Sequence, residues 1–152
     1  MDEVIIRKAV QEDCGSMLEL IKELAAYEKA LHEVTLTLDQ FIKDGFGESP
    51  VWKAFIAEYH HEIIGISLFY DRYSTWKGRR LYLEDLVVTE KFRGKQVGKK
   101  LFETTMGYGK SEQYSGMVFQ VLSWNELAIN FYKKYSPKFD DEWLNVSIEF
   151  KV

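Results

Sequence analysis

Six runs rich in β-branched and aromatic residues predict six strands in this chain. Three of the runs follow one another with no helical pattern between them, and the first two of these are joined at His60-His61-Glu62, which predicts a hairpin with exposed histidines. The runs are VIIRKA (4–9), WKAFIAEY (52–59), IIGISLFYDRY (63–73), RRLYLEDLVVT (79–89), MVFQVL (117–122) and WLNVSIEF (143–150).

Apolar residues at helical spacing predict four helices between these strands. Asp13 can cap the first helix, and Thr37 opens a capping box for a short second helix, which Gly45 can end. The third helix runs from Val97 to about Tyr108. The apolar positions are Met17, Leu20, Ile21, Leu24 and Tyr27 in the first helix, and Ala128, Phe131, Tyr132 and Tyr135 in the fourth.

The order of the predicted elements indicates the fold class. Strand, two helices, three strands, helix, strand, helix and strand is typical of a mixed α/β layer built on one sheet. No internal repeat, low-complexity tract or linker divides the 152 residues. We therefore expect a single domain over residues 1–152, long enough to bury roughly two thirds of its unfolded surface.

Composition and charge exclude several classes of function. A formal net charge of −4 argues against nonspecific binding to nucleic acid, which needs a broad basic face. No apolar run is long enough to span a membrane, and the N-terminal MDEVIIRKA does not have the pattern of a signal peptide. The single Cys14 excludes an internal disulfide and a thiolate metal cluster. We expect a cytoplasmic protein with no nucleic-acid or membrane partner.

Positive charge is concentrated in KFRGKQVGKKLF (91–102), between a predicted strand and a predicted helix. The start of a helix has free backbone N–H groups and about half a positive charge, and glycines at positions 94 and 98 let a ligand approach the backbone closely. This pattern predicts a phosphate cradle. A solvated basic loop that caps a helix explains the same residues about equally well. The stretch is not a Walker loop.

The same stretch resembles a known family. R-x-x-G-x-G between a strand and a helix is the acetyl-CoA signature of the GNAT acetyltransferases, and residues 93–98 match it except at Gln96, where the family usually has glycine. IKELAAYEK (21–29), DGFGESP (44–50), YSTWKGRRLYLEDLVV (73–88) and WNELAINFYKK (124–134) are similar to the diamine branch, which holds the spermidine/spermine and thialysine N-acetyltransferases. The matches are in order over nearly the whole chain.

The resemblance implies acetyl-CoA as co-substrate and a central, mostly antiparallel sheet of six or seven strands with helices on both faces. Backbone N–H groups of Leu86, Val87 and Val88 would polarise the acetyl carbonyl. The cradle survives at Gln96 if that residue keeps a right-handed φ and turns its side chain to solvent. The other implied cofactor-binding residues are Arg93, Gly94, Lys95, Val97, Gly98, Lys99 and Asn125, although Asn125 can equally be the cap of its own helix.

Two catalytic residues are implied by the same matches. Glu84 is the candidate base for the amine, and Tyr132 is the candidate acid for the departing thiolate. Asp85 would bind substrate beside Glu84, although adjacent residues of a strand face opposite sides, so that only one of the two can point into a given cleft. From pattern alone, Glu84 and Asp85 are a strand-edge charge pair and Tyr132 is a core aromatic.

Substrate contacts are implied for Tyr27 and Glu28, whose alternative is an ordinary helix C-terminus. The polyamine enzymes carry an acid in the turn where this chain has Tyr73-Ser74-Thr75-Trp76, so we expect a small lysine-like amine, thialysine or a diamine rather than spermine. Two alternatives stay open: acetylation of a protein N-terminus or lysine, and a non-catalytic acyl-CoA-binding domain. We expect no metal, and a homodimer by analogy with relatives.

Overall fold

A computed structural model describes residues 3–151 of the chain, in which residues 3–119 and 120–151 belong to two compact units. The second unit contains one helix, α4 (Glu126–Lys133). The elements of the first unit are β1 (Ile5–Lys8), α1 (Cys14–Tyr27), α2 (Leu38–Phe46), β2 (Lys53–Tyr59), β3 (Glu62–Ser74), β4 (Gly78–Val88), α3 (Val97–Ser111) and β5 (Met117–Val118).

The first unit is built on one sheet with the strand order β1-β2-β3-β4-β5. The first three pairs of neighbours are antiparallel, and β4 and β5 are parallel. A mixed α/β architecture is therefore confirmed, whereas the predicted count of six or seven strands is wrong. The single domain over residues 1–152 stays a prediction.

The missing strand is the predicted run at residues 143–150, which has no strand structure. Within the described residues of its own unit, no other segment pairs with this run. A strand needs such a partner to satisfy its backbone N–H and C=O groups. The run at residues 117–122 is shortened to Met117–Val118 for the same reason.

Helices cover both faces of the sheet. On one face, Met17 of α1 and Phe41 of α2 share a buried cluster with Ile66 and Leu68 of β3. On the other face, Ser67 Oγ lies 2.6 Å from Thr105 Oγ1 of α3. Because side chains alternate along a strand, Ile66 and Leu68 face α1 and α2, whereas Ser67 faces α3.

Within residues 3–151, no helix is both long and apolar enough to cross a membrane.

The predicted helix starts are borne out unequally. The Thr37 side chain accepts a hydrogen bond from Gln40 N at 3.2 Å, so this cap is confirmed. Asp13 stands at the N-cap position of α1 but does not bond to the helix. Its carboxylate accepts from Arg7 at 2.8 Å and from Val10 N at 2.7 Å instead, and the bond from Arg7 lowers the pKa of Asp13.

Gly45 lies inside α2 and does not end it, because the helix continues to Phe46. The position is small because the Trp52 indole packs against it: a Cβ at residue 45 would lie 2.1 Å from Trp52 Cζ2. Trp52 is buried and stacks on Phe41 with ring centres 4.6 Å apart. The close approach of α2 to the start of β2 therefore depends on glycine at residue 45.

We predict that Gly45→Ala lowers the free energy of unfolding by about 1–3 kcal/mol, because the rigid, buried indole must shift to admit the methyl group. Gly107→Ala is the matched control, since residue 107 is an exposed helical glycine whose Cβ would meet nothing within 4 Å. That substitution should raise the free energy of unfolding by up to about 1 kcal/mol through helix propensity. Urea unfolding of both variants tests this, and equal effects would contradict it.

Candidate active site

Glu84 is an extra residue in β4 and forms a β-bulge. Leu83 pairs with Phe69 and Asp85 pairs with Leu68, so Glu84 has no partner of its own in β3. The side to which a given set of alternate backbone N–H groups points changes across the bulge. Leu81 donates its N–H to Gly116 on the β5 side, whereas Thr89 donates its N–H to Ile64 of β3. In a regular strand, two residues an even number apart would donate in the same direction.

The bulge puts both carboxylates on one face of the sheet. Asp85 is opposite Leu68, which faces α1 and α2, and Glu84 accepts a hydrogen bond at 2.7 Å from the hydroxyl of Tyr70, which shares that face. The expectation that only one of the pair can point into a given cleft is therefore wrong. It assumed regular alternation, which a bulge interrupts.

Three carboxylates influence one another at this point. Burial, the largest cause, and the charges of Glu84 and Glu28 together raise the pKa of Asp85 to about 7. Burial also raises the pKa of Glu28, at the C-terminal end of α1. The fold thus brings an acid of the first helix to the acids of β4. Partly buried negative charge of this kind favours a cationic ligand.

Tyr70 and Tyr82 line the same face, and sequence analysis missed both. They are directly opposite each other in the β3–β4 pair, with stacked ring centres 5.3 Å apart. Burial and the hydrogen bond to Glu84 raise the pKa of Tyr70 above its usual range, so its hydroxyl stays a donor. Counting in steps of two from Glu84 along the predicted strand would have found Tyr82.

Beyond the bulge, no strand of residues 3–119 pairs with the edge of β4 away from β3, which is called the open edge below. Among these residues, β5 pairs with β4 at Leu81 and Tyr82 alone. Because the Thr89 N–H points to β3, alternation directs the N–H of Val87 to β3 and the N–H groups of Leu86 and Val88 to the open edge. Of the three predicted carbonyl-polarising donors, Leu86 and Val88 therefore direct their N–H groups to this edge, whereas Val87 directs its N–H to β3. The polarising role stays a prediction.

The start of α3 has free backbone donors. Gln96 occupies the N-cap position without a side-chain hydrogen bond, and the first intrahelical bond joins Lys100 N to Gln96 O at 3.1 Å. The N–H groups of Val97, Gly98 and Lys99 therefore have no intrahelical acceptor. Among the described residues, a Cβ at Gly98 would meet Val88 at 3.7 Å, an ordinary van der Waals contact, so the fold leaves room beside this residue. Four exposed lysines surround the site: Lys91, Lys95, Lys99 and Lys100.

The backbone of Gln96 is left-handed, with φ 68° and ψ 11°, so the condition of a right-handed φ at this residue is not met. A residue with a Cβ adopts this conformation at a cost of roughly 1 kcal/mol or more, whereas glycine adopts it readily. Gly94, at φ 76°, is left-handed without that cost. The loop therefore has a shape suited to the family's glycine even though this chain has glutamine there.

The Arg93 side chain makes three contacts with other residues of the protein. Its Nε donates to Val88 O at 3.0 Å, its Nη2 lies 3.4 Å from Glu23 Oε2, and its guanidinium lies 5.6 Å from the Tyr27 ring centre. Glu23 also accepts from Thr89 Oγ1 at 2.9 Å. Glu23, which sequence analysis missed, thus fastens α1 to the loop before α3. Its spacing of four from Tyr27 on a helix was the available signal.

The remaining predicted residues lie in the second unit. The Asn125 side chain accepts from Ala128 N at 3.3 Å, so its role as a helix cap is confirmed. Tyr132 is half-buried on α4 and meets the ring of Phe131 edge-on at 5.3 Å. The catalytic role of Tyr132 stays a prediction. In the part of the chain that the structure describes, no group of three or more His, Cys, Asp or Glu could hold a metal ion.

We predict that Asp85→Asn stabilises the protein above neutral pH. The folded-state pKa of about 7 lies above the ordinary value of 3.8, so Asp85 favours folding most at low pH, and this contribution is lost as pH rises through about 7. The melting temperature of the variant should exceed that of the parent by a margin that grows between pH 5 and pH 7 and then levels. Each 1 kcal/mol corresponds to roughly 2–4 °C at this chain length.

The control for that experiment is Asp141→Asn, which removes one negative charge at an exposed position. A margin for Asp85→Asn that is the same at every pH, or that matches the control, would contradict the raised pKa of Asp85.

Comparison with known proteins identifies the family. Residues 16–136 match the acetyltransferase (GNAT) family. The chain is 38% identical over 138 residues to thialysine N-epsilon-acetyltransferase of Bos taurus. The aligned region covers 86% of this chain and 81% of that protein. It is 36% identical over 139 residues to spermidine/spermine N(1)-acetyltransferase-like protein 1 of Homo sapiens, which covers 87% of this chain and 20% of that protein.

A solved structure of an aminoglycoside N-acetyltransferase in complex with CoA is similar in fold, with a TM-score of 0.77 at 17% identity, over 97% of this chain and 96% of that one. The family match spans most of the chain, and its similar relatives are named as amine acetyltransferases. The chain therefore belongs to the GNAT acetyltransferase family and is an amine N-acetyltransferase.

Proposed function

We propose that this protein transfers an acetyl group from acetyl-CoA to the primary amine of a small cationic substrate, a lysine-like amine such as thialysine or a diamine, by direct attack in a ternary complex. The observation that carries the proposal is the bulge at Glu84, which gathers an acidic cluster (Glu28, Glu84 and Asp85) beside the open edge of β4. The names of the relatives support the substrate class.

The acidic cluster would bind the substrate as an ammonium ion and then take up its proton. A free alkylamine has a pKa near 10.4, so removing its proton at pH 7 costs roughly 4–5 kcal/mol. Glu84 is the proposed base, acting directly or through water. Asp85, with a pKa of about 7, stands close enough to Glu84 to share the proton. The Tyr70 hydroxyl, bonded to Glu84, would hold that carboxylate in place.

Acetyl-CoA supplies the acetyl group as an activated thioester. The Leu86 and Val88 N–H groups at the open edge would hydrogen-bond to the acetyl oxygen, where negative charge develops during attack. The N–H groups at the start of α3 would hold phosphate, with attraction from the surrounding lysines that weakens as salt rises. The departing sulfur needs a proton, which Tyr132 would donate. The second proton, which the nitrogen loses after attack, would pass through solvent and restore the Tyr132 hydroxyl.

Loss of the proposed acid tests this mechanism. Tyr132→Phe should lower kcat roughly 10²- to 10⁴-fold, with normal folding and near-normal acetyl-CoA binding, because only the proton donor is removed.

The substrate class is tested by measuring thiol release with thialysine, lysine, diamines, spermidine, spermine and peptides. Thialysine or a short diamine should give a higher kcat/KM than spermine. Unchanged turnover would return Tyr132 to a packing role, and a preference for spermine or for peptides would overturn the substrate assignment.

Acetyl-CoA binding is tested by calorimetry on two variants of the loop. Gln96→Gly should change the affinity by less than about tenfold, or roughly 1.4 kcal/mol, because the backbone already has the conformation that glycine prefers. Gly98→Ala should weaken binding by more than tenfold while the free protein stays folded, since the methyl group fits beside Val88 and would project toward the phosphate proposed to bind there.

Gly107→Ala, in the same helix, is the control for the effect of alanine on α3. Absence of acetyl-CoA binding by the parent, restored by Gln96→Gly, would mean that the cradle is not functional. Binding without thiol release from any amine would favour a non-catalytic acyl-CoA-binding domain.

A homodimer and a cytoplasmic location remain proposals. Residues 143–150 support the first: Leu144, Val146, Ile148 and Phe150 are 79–89% exposed at alternate positions of a strand-like run. A second copy of the chain would give this run both a backbone partner and an apolar surface. A monomeric mass by light scattering would contradict the dimer.

A further inference from the structure

A row of side chains extends from the acidic cluster along the β3–β4 pair. Tyr70 lies opposite Tyr82, and the next positions on the same face are Arg72 and Arg80, which also lie opposite each other. The Arg72 guanidinium is 5.4 Å from the centre of the Tyr82 ring, and this ring is stacked on Tyr70. The row therefore runs from a negative end, across two aromatic rings, to a positive end.

Arg72 differs from the other arginines in its surroundings. Arg7, Arg79 and Arg93 each pair with a carboxylate of this chain. Within residues 3–151, no carboxylate pairs with Arg72, which is exposed and held only by the cation–π contact to Tyr82. Arg80 points away toward the loop before β5, with Nη1 3.5 Å from Ser115 Oγ. Arg72 is thus free to bind an anion.

We propose that Arg72 is a specificity-determining residue that binds a carboxylate at the far end of the acceptor. This rests on the proposed function, in which the reacting amine lies at the acidic cluster. A planar guanidinium matches a carboxylate with two parallel hydrogen bonds. The site then selects an ω-amino acid over a diamine, because the second ammonium of a diamine would meet a like charge.

The spacing fits a lysine-like substrate. Glu84 is level with the step between Leu68 and Phe69, so three to four residues of β3, or roughly 10–13 Å of strand, separate it from Arg72. In extended lysine, six bonds separate the side-chain nitrogen from the carboxylate carbon, a span of roughly 7 Å. The Arg72 guanidinium leans toward Tyr82, 5.4 Å from its ring centre, and thus shortens the distance that the substrate must cover. An amine held by Glu84 and a carboxylate held by Arg72 can therefore belong to one extended molecule lying across Tyr70 and Tyr82.

The test compares lysine with cadaverine, which has the same carbon chain and lacks the carboxylate. The parent should show a higher kcat/KM for lysine. Arg72→Gln should lower the lysine-to-cadaverine ratio of kcat/KM by about tenfold to a hundredfold, through a higher KM for lysine at near-normal kcat, because charge-assisted hydrogen bonds are lost. Arg72→Glu should reverse the preference.

Arg80→Gln is the matched control and should leave the ratio at the parent value, since its side chain is directed to Ser115. A parent that does not prefer lysine, or an Arg72→Gln variant that acetylates both amines equally less well, overturns the assignment of Arg72. If the parent acetylates none of thialysine, lysine and the diamines, the proposed function itself fails, so the two failures are distinguishable.

Discussion

The candidate site depends on one extra residue in β4, which is Glu84. Without it, Asp85 would point toward α3, and the N–H groups of Leu86 and Val88 would point into the β3 ladder. With it, two carboxylates share one face and two backbone donors face the open edge of the sheet. A single interruption of strand alternation thus places the two carboxylates and the two backbone donors, to which we assign the acid–base and oxyanion roles, next to each other.

A second constraint holds the phosphate loop against this arrangement. Glu23 of α1 bonds to Thr89 directly after β4 and lies near Arg93, while Arg93 also donates to the Val88 carbonyl. The helix that supplies Glu28 to the acidic cluster therefore also fixes the start of the loop that leads to α3. The proposed acceptor and cofactor regions therefore share one scaffold, and we expect a substitution at Glu23 to disturb both.

Charge is distributed so that each end of the site attracts a different group. The chain is acidic overall, with a net charge of −4, yet four lysines surround the start of α3 and Arg72 stands unpaired on the β3–β4 pair. Partial burial makes the acidic cluster favour a cation, because the charged forms of its members oppose one another. Local surroundings rather than net charge therefore determine what each part of the surface binds.

The sequence by itself determined the family, the helices, four of the strands, and the caps at Thr37 and Asn125, because these depend on local spacing and on motifs that tolerate little change. Only the tertiary structure decided the bulge, the left-handed backbone of Gln96, the commitment of Arg93 to Glu23, and the absence of a strand at residues 143–150. Each of these depends on which residue lies opposite in another element. Pairing across a sheet joins residues far apart in sequence, so no local pattern of β4 or of residues 143–150 contains that information.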